Sequence, residues 1–485
     1  MNTNEITIIG SGFSGLGLAI KLKQNGFKNF KVLERANEVG GTWRDNTYPG
    51  VACDIPSHLY SFSFIKNPNW SRVYSPGHEI QQYLIECSHK EDIRNHIDFN
   101  TCLETATWDN ESKQWIIKTN NGTYSTKYLI SCSGHLADFC FPNIDGLESY
   151  SGKILHSAQW DNNVDFKGKR VAVIGSGASA IQLVPELAKD ADQLIVFQRS
   201  APYIVPRADR AYTEVEKKMF NKMPETMEEL RQKTFWYNES LFSQRRNVKV
   251  HVEAIKNYAL KHLSNQIEDP ILRKKLTPNY EPGCKRLLLS NNYYPTFLRT
   301  NVTLEASALK KVTSKSVISA DGNEFEVDII VFATGFEVSR PPSASKIYGK
   351  HGKNLEEQWT DGMQGMQSTT VQNFPNYFLM NGPNSGTGHN SAIYYYETQF
   401  ALILDALNYL KNEKINVFEP SLESETEYME KIVKLSQGSV WLSQGCKSWY
   451  LDPISRKLTL VWPDYSHAFR EENQAFHKDK YIYSS

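Results

Sequence analysis

The apolar run Ile6-Thr7-Ile8-Ile9 ends at Gly10-Ser11-Gly12-Phe13-Ser14-Gly15, a helical pattern follows, and a second short run appears at Phe30-Lys31-Val32-Leu33. Runs this short, bounded by glycine, suit buried strands rather than helices. The order recurs at Val171-Ala172-Val173-Ile174, then Gly175-Ser176-Gly177-Ala178-Ser179-Ala180, then Leu194-Ile195-Val196-Phe197. Parallel strands need a crossover of about a dozen residues or more, and each copy leaves room for one helix. The pattern predicts two βαβ units.

From about residue 210 to 280 the sequence turns charged and helix-favouring, as in Glu214-Val215-Glu216-Lys217-Lys218-Met219 and Ile271-Leu272-Arg273-Lys274-Lys275-Leu276. This predicts a helical insertion. Strand-like runs return at Val302-Thr303-Leu304 and Asp328-Ile329-Ile330-Val331-Phe332, and helical periodicity returns from Tyr395 to Leu410. The expected fold class is α/β with two Rossmann-like dinucleotide-binding domains, the second carrying the insertion. Residues 1–155 form the first part of the first domain, 156–335 the second domain, and 336–485 the remainder of the first.

A strand, a glycine turn and a helix start together make a phosphate site. Gly10 allows the tight turn, Gly12 lets backbone approach a pyrophosphate, and Gly15 lets the helix pack closely, its N-terminal amides facing the anion. Glu34 ends the second strand, where a carboxylate accepts from a ribose 2′-hydroxyl and repels a 2′-phosphate, which suits FAD or NAD. The second unit has Gln198-Arg199-Ser200 at that place, with a cation able to grip a phosphate, which suits NADPH.

Composition narrows the partners. Lys plus Arg and Asp plus Glu both number 54 in 485 residues, so no net field draws the chain to nucleic acid. A small-molecule partner is expected, with the protein a monomer or weak dimer. The seven cysteines (Cys53, Cys87, Cys102, Cys132, Cys140, Cys284, Cys446) are odd in number and show no C-x-x-C, which points to reduced thiols and a cytoplasmic location. Met1-Asn2-Thr3-Asn4-Glu5 runs straight into the first strand, and no apolar run reaches about 18 residues, so neither secretion nor a membrane span is expected. No metal site is expected.

Beyond the first unit stand Gly40-Gly41-Thr42-Trp43, Tyr48-Pro49-Gly50-Val51-Ala52-Cys53-Asp54-Ile55-Pro56-Ser57 and Tyr60-Ser61-Phe62. This stretch resembles the FAD-binding region of class B flavoprotein monooxygenases. Between the two units, Tyr150-Ser151-Gly152-Lys153-Ile154-Leu155-His156-Ser157-Ala158-Gln159-Trp160-Asp161 resembles the Baeyer–Villiger fingerprint F-x-G-x-x-x-H-x-x-x-W-[P/D], with Tyr150 in place of phenylalanine. Phe332-Ala333-Thr334-Gly335-Phe336 and Gly445-Cys446-Lys447-Ser448-Trp449-Tyr450 continue the likeness over essentially the whole chain.

The resemblance implies FAD and NADPH as cofactors, O2 and a ketone as substrates, and a flavin C4a-peroxide whose negative charge needs a cation. Gly283-Cys284-Lys285-Arg286 is similar to the stretch supplying the family's catalytic arginine, which makes Arg286 the candidate and Asp54 the aspartate that orients it. Lys285 joins Arg199 and Ser200 near the 2′-phosphate. Gly10, Gly12, Phe13, Ser14, Gly15, Glu34, Arg35, Gly41, Thr42, Trp43 and Asp54 fall to the first cofactor, and Gly175, Gly177, Ala178, Ser179, Ala180, Thr334 and Gly335 to the dinucleotide sites generally. Tyr60 reads equally as a flavin neighbour or a core aromatic. His156 and Trp160 are placed in the link between domains.

The runner-up activity is a flavin-containing monooxygenase acting on nitrogen or sulfur nucleophiles, against which Arg286 and Trp160-Asp161 speak. A disulfide reductase needs a redox cysteine pair beside the flavin, and none is spaced for it. A non-catalytic dinucleotide sensor is disfavoured by Asp54 with Arg286.

Overall fold

In the computed structural model, which describes residues 2–484, the strand Asn2–Ile9 lies between Phe30–Leu33 and Gly122–Ser131, parallel to both. Ile6 and Ile8 are fully buried there, as expected of a parallel strand covered on both faces. Leu103–Asp109 and Gln114–Thr119 extend this sheet as an antiparallel meander, and Ile347–Tyr348 and Tyr377–Leu379 add parallel edges from far along the chain. This sheet is thus assembled from both ends of the sequence. The helix Phe13–Gln24 packs on Ala392–Asn412 so closely that a Cβ at Gly17 would stand 2.6 Å from Phe400.

The second domain is built on five parallel strands in the order Val302–Glu305, Gln193–Phe197, Arg170–Ile174, Ile329–Phe332, Lys153–His156. With two parallel-cored sheets, each with a glycine turn leading into a helix, the α/β expectation is met. Lys153–His156, at the end of the expected first segment, pairs with Ile329–Phe332 in the second sheet. The short apolar pair Ile154-Leu155 alone does not say which sheet the strand joins.

The helices Glu214–Lys222, Glu225–Ser240, Lys249–Gln266 and Pro270–Lys275 make up the insertion. Phe220, Met227 and Phe235 bury in the core of the first domain, while Leu263, Ile267 and Leu276 bury in that of the second. The insertion therefore bridges the two cores. Among the described residues no helix is long and apolar enough to cross a membrane.

The expectation of seven reduced thiols fails at one pair. Cys284 and Cys446, 162 residues apart, form a disulfide with their Cα atoms 5.7 Å apart, while Cys53, Cys87, Cys102, Cys132 and Cys140 stay free. Composition carries no trace of the pairing, because it is set by the docking of the C-terminal region on the segment that follows the insertion.

Candidate functional site

The first glycine turn opens a cleft that runs from Glu34 and Arg35, past Gly10 to Ser14 and Gly41 to Trp43, to Tyr60 and Tyr396. Gly10 has φ +97°, and a Cβ at Gly15 would stand 1.9 Å from the Gly10 carbonyl oxygen, so the turn and the close helix require both glycines. Gly12 caps the Phe13–Gln24 helix without any side-chain hydrogen bond, which leaves its first amides free to meet an anion. Gly12 and Gly41 face each other, a Cβ at Gly41 falling 3.1 Å from the Gly12 Cα. Side chains there would fill the cradle.

Glu34 lines the cleft, but its carboxylate is engaged: Oε2 accepts from the Ser11 amide and hydroxyl, and Oε1 from the Ala36 amide and Arg44 Nη1. These four bonds use its acceptor positions, so a ribose hydroxyl at Glu34 has to replace one of them. Arg35 is exposed and paired with Asp45 and Asp138. Phe13 and Tyr60 meet edge to face at 5.3 Å, and Trp43 Nε1 donates to the Tyr60 hydroxyl at 3.3 Å. Tyr60 is thus a core aromatic and a cleft wall at once.

In the second unit Gly175 has φ +123° and packs against Ala333, which places Thr334 and Gly335 beside this turn. Gly177 caps Ala178–Asp190, again with no side-chain hydrogen bond, and Ala180 is fully buried at the third motif position. Gln198 is buried and donates to the Lys275 carbonyl, while Arg199 is exposed and Ser200 partly so. Lys285 Nζ donates to Ser200 Oγ at 3.1 Å. Burial, with Arg199 close by, pulls the pKa of Lys285 below the usual lysine value. Two cations held together with no anion between them make a fitting receptor for a phosphate.

Asp54 and Arg286, 232 residues apart, meet in a bidentate pair, Nε to Oδ2 at 2.6 Å and Nη2 to Oδ1 at 2.8 Å. Burial works against both charges, but each partner offsets it for the other: Arg286 is held above the usual arginine value, and Asp54, with Arg207 also near, below the usual carboxylate value. Asp54 lies in a loop of the first domain that docks on the second, where Gln182 Nε2 donates to the Ala52 carbonyl and the Tyr48 hydroxyl to Gln182 Oε1. The ion pair therefore spans the domain interface.

The fingerprint segment packs at the link. His156 is 1 % exposed, stacks on Phe139 at 4.7 Å, and accepts from the Ala158 amide at Nδ1. Burial lowers its pKa to about 4, so it is neutral. Phe139 bridges Phe336, so His156 touches both chain crossings between domains. Tyr150 donates to the Val327 carbonyl, a bond that phenylalanine cannot make.

Residues 3–351 match the flavin-binding monooxygenase-like (FMO-like) family. The chain belongs to that family. It is 41% identical over 478 residues to a Baeyer–Villiger monooxygenase of Streptomyces coelicolor, covering 97% of this chain and 91% of that one. With a Baeyer–Villiger monooxygenase of Pseudomonas aeruginosa the identity is 39% over 478 residues, at 98% and 91% coverage. Among solved structures, a cyclohexanone monooxygenase from Rhodococcus sp. Phi1 bound to NADP+ superposes with a TM-score of 0.89 at 27% identity, covering 100% of this chain and 99% of that one.

In this member of the flavin-binding monooxygenase-like family, several cleft residues escaped the sequence reading. Arg44, Asp138, Asn381 and Tyr396 all line the first cleft. Arg44 directly follows Thr42-Trp43 and was within reach of the motif, the loop at Asn381 was expected to help form the pocket, and Asp138 and Tyr396 arrive from segments that carry no motif of their own. The Cys284–Cys446 pair lies outside that cleft, so it is not the flavin-side redox pair of a disulfide reductase.

Proposed function

We propose that the protein is an FAD-containing, NADPH-dependent Baeyer–Villiger monooxygenase that converts a ketone and O2 into an ester or lactone. The observation that carries the reading is the Asp54–Arg286 pair, a partly buried cation fixed in orientation at the domain interface. The names of the similar chains support it. When bound, NADPH supplies a hydride, and FAD passes the two electrons on to O2.

The chain's own residues supply binding, orientation and charge. Gly12 and Gly41 and the open helix start would hold the FAD pyrophosphate, while Arg199, Ser200 and Lys285 would hold the 2′-phosphate of NADPH. Arg286 sets a permanent positive charge where negative charge gathers on oxygen and on the substrate carbonyl, the arrangement that lowers such barriers most. Asp54 keeps the guanidinium plane fixed, and its low pKa keeps it ionised at neutral pH.

The test is aerobic NADPH turnover with linear, cyclic and aryl ketones and, separately, with sulfides and amines, with products identified. Esters or lactones from ketones support the reading. Oxidised sulfides and amines with no ester would transfer it to the nitrogen- and sulfur-oxidising branch.

A further inference from the structure

Arg245 follows the short turn Leu241–Gln244, between the insertion helices Glu225–Ser240 and Lys249–Gln266, and is 4 % exposed. Among the described residues its guanidinium donates only to backbone carbonyls, to Leu241 at 3.3 Å and to Gly388. The groups acting on its charge are Tyr450, Arg286 and Tyr395, none of them a carboxylate. His389, which Arg245 acts on, is itself paired with Glu239, and that carboxylate is already committed to His389 and His467. Burial lowers the pKa of Arg245 to about 10, which leaves it cationic at neutral pH.

A second unfilled group stands at the same point. A Cβ placed on Gly388 would lie 3.0 Å from Arg245 Nε and 3.7 Å from the Tyr450 hydroxyl. That hydroxyl is buried and has no hydrogen-bond partner among the described residues. It acts on Arg286 as well as on Arg245, and the Arg245 stem rests 3.7 Å from the Cβ position of Gly283, three residues before Arg286. A buried cation without counter-charge and a buried hydroxyl without acceptor are each costly, and one anionic oxygen would relieve both.

We propose that Arg245 and Tyr450 form an anion subsite beside Arg286, and that the ketones this enzyme prefers carry a carboxylate. The inference rests on the oxygenase reading above for the ketone, but not for the anion. Cofactor phosphates are the other source of anionic oxygen. They have their own receptors, at the open helix starts and at Arg199 with Lys285, and Lys285 is turned toward Ser200. Arg245 and Tyr450 sit on the Arg286 side, in contact with the loop that begins at Asn381, a wall of the first cleft.

The experiment uses the FAD-loaded enzyme with NADP+ and measures equilibrium binding of levulinate and its longer methyl-ketone homologues, each against its methyl ester, by perturbation of the flavin spectrum. At least one acid should bind roughly ten-fold or more tightly than its ester, the value of one charge-assisted contact. Arg245→Met should abolish that ratio, Arg245→Lys should keep part of it, and Tyr450→Phe should reduce it by a smaller factor. Esters binding as well as acids throughout the series would overturn the subsite, as would an unchanged ratio in Arg245→Met. A loss of NADP+ affinity in Arg245→Lys with no change in the acid-to-ester ratio would reassign the cation to the cofactor. Should Arg245→Met fail to take up FAD, the Lys and Phe variants decide. An acid preference in an enzyme that makes no ester from any ketone would leave the subsite standing and remove the oxygenase reading; ester production without an acid preference would do the reverse.

Discussion

The guanidinium of Arg286 lies edge-on against the carboxylate of Asp54, two hydrogen bonds of 2.6 and 2.8 Å joining a residue of one domain to a residue of the other. Flavin reduction needs only a hydride donor brought close, whereas oxygenation needs a cation beside developing negative charge in a site that excludes water. Arg286→Ala should therefore lose ester formation by roughly a hundred- to a thousand-fold, about 2.7 to 4 kcal/mol, while NADPH still reduces the flavin. Asp54→Ala should lose less, since the charge remains and only its orientation is freed. Anaerobic stopped-flow reduction followed by product analysis separates the two stages, and wild-type ester formation by Arg286→Ala would show that the cation is another one.

Arg199 and Lys285 converge on Ser200 with no acid between them. NADPH should be preferred to NADH by roughly ten- to a hundred-and-fifty-fold, and Arg199→Ala should collapse the preference, mainly through KM. Equal use of both nucleotides by the wild type would contradict the assignment.

The space between Gly12 and Gly41 leaves no room for an added side chain once a pyrophosphate is in place. Gly12→Val should be purified colourless, while the wild type is yellow. Absorbance of the denatured protein measures the FAD content, and a replete variant would refute the cradle.

The strand–turn–helix repeat was legible because its glycines answer local demands: a positive φ at Gly10, a helix pressed on its own turn at Gly15. Asp54 and Arg286 could be paired only through the family resemblance, because nothing in either neighbourhood says that a loop of one domain reaches the other. Cys284 with Cys446 and Arg245 with Tyr450 were invisible for the same reason. Each pair is made by docking of the C-terminal region against the segment around the insertion, and a lone arginine in a charged helical stretch looks like any solvated one.

The disulfide gives a count. Denatured protein without reductant should show five reactive thiols, rising to seven after reduction. Closing so long a loop restricts the unfolded chain, so Cys446→Ser should lower stability by about 2 to 5 kcal/mol in denaturant titrations. Seven thiols before reduction would mean that the bond does not form.

Glu425 is 3 % exposed, and burial raises its pKa to about 7 against a single opposing hydrogen bond from the Gln372 amide. Its folded pKa lies above its unfolded one, so the native protein keeps a proton that the unfolded chain gives up. The native state is therefore favoured below the unfolded pKa, and this is lost as pH rises from about 4.3 through 7. Glu425→Gln should raise stability at about pH 8 by something on the order of 3 kcal/mol and leave it nearly unchanged at about pH 4. Thermal melts at the two pH values check the sign; an equal shift at both would exclude the titration.

The contact of Gly17 with Phe400 ties the first helix made to one of the last. During translation, at about 5 to 20 residues per second, the Phe13–Gln24 helix emerges some tens of seconds before Ala392–Asn412 is available to cover it. Over that interval the face of the helix at Gly17 lacks its Phe400 cover, and the contact that finally closes it is among the most distant in sequence that the chain makes. The nascent chain is thus most exposed to aggregation and to chaperone capture at its beginning, and slowing translation late in the message prolongs the hazard for residues made long before.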